Sequence, residues 1–224
     1  MLRTFAKTIG LSLLAGVAGC GDSNGLLFAD IQYSTRCEET RGCAGPQDYD
    51  ICGVNGGDAC ELVPGTARLS CSVQETDTHR TISFSARQEG TGEHFSITVS
   101  RLQVLRDGGS ATGGDCRVTV EVGPNDYEGT CGGSVPNPAQ PCQITNVRFG
   151  RDMDGNEELE GEIFCQFLQN EAQPNLRIEV TAIGPSAPAF GGATIMPICD
   201  TYAEAPAACQ PGRFRIVNCR GLRL

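Results

Sequence analysis

Apolar and polar residues alternate with a period of two through much of the chain beyond residue 66. Leu69, Cys71 and Val73 share one side of an extended segment, and Ile82, Phe84 and Ala86 share one side of the next. The pattern returns at Phe95, Ile97 and Val99, at Cys116, Val118, Val120 and Val122, at Leu159, Ile163, Cys165 and Phe167, and at Leu176, Ile178, Val180 and Ala182. Successive side chains of a strand point to opposite faces, so these sets predict half-buried antiparallel strands. Arg117, Thr119 and Glu121, like Glu158, Glu160 and Glu162, are then turned to water. Gly, Asn, Asp and Pro stand between the runs, at residues 123–126 and 154–156, as turns require. No segment carries an amphipathic helix of useful length. Several short strands with frequent turns predict an all-β fold, an antiparallel β-sandwich with long loops.

Ahead of the alternating region the pattern changes. Residues 37–66 are dense in Cys, Gly and Asp, without a sustained period of either kind, and are expected to form stapled loops. Residues 20–36 read as a tether and a first strand bearing Leu26, Leu27, Phe28, Ile31 and Tyr33. The expected organisation is therefore an N-terminal leader over 1–19, the tether over 20–36, loops over 37–66 and the sandwich over 67–224.

The leader departs most sharply from a soluble-domain pattern. Arg3 and Lys7 precede an apolar run over residues 9–18, broken only by Gly10, Ser12 and Gly16. About ten apolar residues fall well short of the roughly 20 needed to span a bilayer, so the run reads as the core of an export signal. Val17, Ala18, Gly19 and Cys20, followed by the small polar run Gly21, Asp22, Ser23, Asn24 and Gly25, resemble the lipobox of bacterial lipoproteins. Val17 stands where that family more often has Leu. The resemblance covers about 20 residues and implies cleavage before Cys20, diacylglycerol on its sulfur and acylation of its amine. Stable anchoring takes more than one acyl chain. It also implies a place in the cell envelope, at the outer membrane, because Gly21 lacks the Asp that retains some lipoproteins at the inner one. An ordinary secretory signal is the competing reading, since Val17 and Gly19 are also small.

Cysteine count bears on both readings. Of 13 cysteines, assigning Cys20 to lipid leaves 12: Cys37, Cys43, Cys52, Cys60, Cys71, Cys116, Cys131, Cys142, Cys165, Cys199, Cys209 and Cys219. An even set can close into disulfides, the expected state of an exported chain. Their spacings contain no C-x2-C knuckle for structural zinc or redox work. Cys52 with Cys60, and Cys131 with Cys142, bracket Gly- and Pro-rich loops and are expected to pair locally.

Charge narrows the partners. Without Arg3 and Lys7, 15 arginines face 27 carboxylates, a net charge of −12, which a nucleic-acid backbone or an anionic surface repels. Asp152, Asp154 and Asn156 place oxygen ligands at alternate positions around Gly155, as a calcium site does. An acidic hairpin tip explains the same residues. Glu75, Asp77 and His79 alternate, so that on an extended chain two of them could share a metal ion, but they stand between two predicted strands and read as turn residues; His94 opens the strand over 95–99. No nucleophile elbow, zinc-protease helix or phosphate loop is present. The expected role is a noncatalytic, lipid-anchored envelope protein serving in binding, adhesion or structural support, without a cofactor. The alternatives are a carboxylate-dependent hydrolase of polysaccharide and a calcium-dependent binding protein.

Overall fold

The structure is a computed structural model that describes residues 25–37, 47–57, 60, 65–90, 93–113, 115–132, 139–174, 176–181 and 211–224. The expected all-β fold is what these residues form. Eleven strands follow in order: β1 (Phe28–Cys37), β2 (Gln47–Val54), β3 (Thr66–Glu75), β4 (His79–Gly90), β5 (Glu93–Leu105), β6 (Cys116–Val122), β7 (Asn125–Gly132), β8 (Cys142–Arg151), β9 (Glu157–Asn170), β10 (Arg177–Thr181) and β11 (Gly212–Val217). They belong to one continuous sheet, antiparallel except where Cys131 and Gly132 of β7 run parallel to Cys142 and Gln143 of β8. β11 and β10 lie end to end between β1 and β9.

The sheet folds back on itself, and its two halves meet face to face. Phe84 of β4 packs on Phe214 of β11 with ring centroids 5.0 Å apart. The buried Tyr33 hydroxyl of β1 donates to the Ser96 carbonyl of β5 at 3.4 Å, and desolvation holds that phenol protonated far above its usual range. Inside lie Ile31, Ile51, Ile82, Ile97, Leu102, Ile144, Leu159 and Ile163, all inaccessible to solvent. In β3 the alternation is unbroken: Ala67, Leu69, Cys71 and Val73 are buried and their neighbours exposed.

Several features differ from the sequence expectation. Within the predicted loops over 37–66, β2 pairs with β1 across eight positions, from Phe28 opposite Val54 to Thr35 opposite Gln47. Tyr49 and Ile51 supply its buried face, a signal too short to stand out among Cys, Gly and Asp. In β5 the period shifts at Arg101, whose φ of 54° places an extra residue opposite Ser83, so Leu102 and Val104 turn inward. The Ser83 hydroxyl accepts from Arg101 N at 3.0 Å. A second bulge, at Asn146 with φ 52°, breaks the period of β8.

Four disulfides hold the described residues: Cys52–Cys60, Cys71–Cys219, Cys116–Cys131 and Cys142–Cys165. The local pairing expected for Cys52 is present. That expected for Cys131 with Cys142 is not, although the two oppose each other across β7 and β8. Cys116, Cys131, Cys142 and Cys165 stand in one row over four neighbouring strands, and each of the middle two bonds to its outer antiparallel neighbour. Cys20, Cys43, Cys199 and Cys209 lie outside the described residues, and Cys37 ends β1 opposite Ile178. The bridges indicate an oxidising, extracytoplasmic environment.

Candidate functional site

The outer face of β1, β11, β9 and β8 carries the most organised set of polar side chains. Strand register generates it. Asp30 opposes Arg215, Arg215 opposes Glu160, and Glu160 opposes Arg148, giving a row of alternating charge across four strands. The next row runs Asp50, Gln32, Arg213 and Glu162. Asp30, Gln32, Arg148, Glu160, Glu162, Arg213 and Arg215 of these rows line an open hollow of about 410 Å³.

Fixed geometry distinguishes this face from a loose charged surface. The Arg215 guanidinium donates to both oxygens of Glu158, Nε at 3.0 Å and Nη2 at 2.9 Å, and that hydrogen bonding holds it more firmly protonated. Arg148 lies 3.7 Å from Glu160, and the Asn146 amide donates to Glu162 at 2.6 Å. Asn146 reaches Glu162 from the bulge in β8, so the irregularity that hides the strand in the sequence also aims a donor at the face. Asp50, one strand beyond, differs from the other acids. Burial, and secondly the neighbouring Asp30 carboxylate, raise its pKa, and its Oδ1 is buried without a hydrogen-bond partner among the described residues. Rows of donors and acceptors on rigid strands can bind hydroxyl or amide groups of a polar ligand.

Asp152, Asp154 and Asn156 form the tip of the β8–β9 hairpin. One Asp152 oxygen accepts from Asp154 N at 3.0 Å and Asn156 N at 2.8 Å, and the other accepts from Asn156 Nδ2 at 3.0 Å. The carboxylate therefore organises the turn, with N–H donors occupying positions a calcium ion needs. Those bonds, the Asn156 side chain first, lower the Asp152 pKa. A lowered folded pKa means that the stabilisation is present at neutral pH, above the usual carboxylate range, and is lost as pH falls through the folded value. Asp152→Ala is thus expected to lower the urea midpoint at neutral pH, with the gap to wild type closing in strong acid. A pH-independent gap contradicts the assignment.

The other sequence candidates do not converge. Glu75 ends β3 in contact with Arg80 and Arg106, each at 3.1 Å, whereas the His79 ring bonds to the Thr78 hydroxyl at 2.8 Å. Asp77 sits exposed in the intervening turn, and His94 opposes Glu89 through its backbone. Sequence reasoning missed Arg80, which is buried, stacks 4.2 Å above the Phe149 ring and donates to the Arg223 carbonyl at 2.8 Å. It also missed the charged face, whose members are scattered from Asp30 to Arg215. No family model, curated protein or solved structure matches the chain.

Proposed function

We propose that the chain is a lipid-anchored envelope protein, held at the outer membrane through Cys20, whose stapled β domain binds a polar partner without chemical turnover. The observation that carries this reading is the disulfide set: eight of the 12 cysteines left after assigning Cys20 to lipid are paired. Such pairing belongs to exported chains. The partner surface is the outer face of β1, β11, β9 and β8, where Arg215, Glu160 and Arg148 offer hydrogen-bonding groups to a neutral glycan or polar peptide. Cys20→Ser is expected to move the protein from the membrane fraction to the soluble envelope fraction while leaving the four bridges intact. A variant that still sediments with membranes contradicts the anchor.

A polysaccharide hydrolase is the competing reading, favoured by one observation: Asp50, whose carboxyl pKa is pushed up by burial, lies beside Asp30, and two neighbouring carboxyls are what such a reaction needs. Turnover of a glycan by the purified domain, lost in Asp50→Asn, decides for the hydrolase.

A further inference from the structure

Among the described residues four large apolar side chains are exposed: Leu26 at 70%, Met153 at 105%, Leu105 at 52% and Leu224 at 50%. Three of them gather at one end of the sheet. Leu26 and Met153 line one shallow hollow together with Asn218. The Asn218 side chain donates to the Leu26 carbonyl at 3.2 Å and its backbone N to the Glu157 carbonyl at 2.8 Å, while Leu224 N donates to the Glu157 carboxylate at 3.3 Å. The fourth, Leu105, precedes Arg106, which pairs with Glu75. Glu75 in turn holds Arg80, the residue bound to the Arg223 carbonyl. The C-terminal tail thus runs past the hairpin tip and the start of β1. Scattered single apolar residues are ordinary on a surface, but their concentration at one end marks an interaction surface.

The same end receives the N-terminal tether. Gly25 is five residues from Cys20, and five extended residues reach about 18 Å at most. We infer that this end, with Leu26, Met153 and Leu224 at its tip, inserts its apolar side chains into the lipid headgroup layer, so that the domain stands on the membrane in one orientation. The inference rests on acylation of Cys20, which sets where the bilayer is. Asp152 and Asp154 flank Met153 in that hollow, so the contact is made by the apolar side chains and not by attraction to lipid phosphates. The opposite end of β9 is roughly 40 Å away along a 14-residue strand, which keeps the turn at Ala172 clear of the surface.

The chain contains no tryptophan, so Met153→Trp or Ala172→Trp introduces a single reporter. The full chain, acylated in a bacterial host, is reconstituted into zwitterionic phosphatidylcholine vesicles whose acyl chains are brominated, and its intact mass is read on the same sample. The expected result is emission shifted to shorter wavelength and severalfold stronger quenching at position 153 than at 172. Adding Leu26→Glu to the Met153→Trp chain reduces that quenching while the acyl mass stays in place. Equal quenching at both positions in an acylated sample overturns the orientation and leaves the anchor standing. Absence of the acyl mass overturns both. Cross-links through position 153 that join two chains, with no quenching, assign the patch to a second copy and overturn the membrane contact.

Discussion

Replacing Cys71 and Cys219 together by Ala is expected to cost about 4–5 kcal/mol of stability, the largest loss of any single bridge described. The two residues are 148 positions apart, and closing a loop of that length removes more freedom from the unfolded chain than the 8-, 15- and 23-residue spacings of the other bridges. The bridge also fixes the tail against β3. Immediately after it, Val73 N donates to the Arg220 carbonyl at 2.8 Å, and Arg80 takes the Arg223 carbonyl three residues on. For a domain of this size the thermal midpoint should fall by roughly 10–20 °C. Cys52→Ala with Cys60→Ala, closing only 8 residues, should fall by much less. A reversed order contradicts the assignment of the long bridge as the principal staple.

The second large effect concerns the centre of the core. Phe214 is 2% exposed, with its ring against Phe84 on one side and Gly161 of β9 on the other. Phe214→Ala leaves a cavity between the two halves of the sheet and is expected to cost about 3–5 kcal/mol. Gly161 is required for a different reason. A Cβ there would lie 2.5 Å from the tip of the Phe214 ring, which has no room to retreat while it packs on Phe84. Gly161→Ala should therefore cost about 1–3 kcal/mol in the wild-type background and distinctly less with Phe214→Leu. Urea unfolding of the two single variants and the double variant measures this coupling. Simple additivity contradicts the contact.

How far the fold was legible depended on whether a strand kept its period. β3 and β6 were recognised because Leu69, Cys71 and Val73, and Cys116, Val118 and Val120, alternate without interruption and are buried. β5 was recognised only as far as Val99, because the bulge at Arg101 reverses which residues point inward. β8 was missed because Ile144 and Val147, three apart, straddle the bulge at Asn146. β11 was missed because six residues offer only Phe214 and Ile216 as inward alternation between two arginines. In the cysteine row the bridges join antiparallel neighbours, Cys116 with Cys131 and Cys142 with Cys165, and not the parallel neighbours Cys131 and Cys142 that bracket the Pro-rich loop, whereas Cys52–Cys60 is the local pair its spacing suggests. The candidate face was illegible for the same physical reason: Asp30, Arg148, Glu160 and Arg215 become neighbours only when β11 enters between β1 and β9.

The proposed lipid anchor and the observed bridges together define the covalent state expected of the mature protein. Intact mass spectrometry of protein extracted from bacterial membranes, alkylated without reduction, tests it directly. The expected mass is that of a chain beginning at Cys20, carrying diacylglycerol and an amide-linked acyl chain, with no alkylated thiol among the remaining 12 cysteines. A chain beginning elsewhere, or one with an alkylated Cys20, would contradict it.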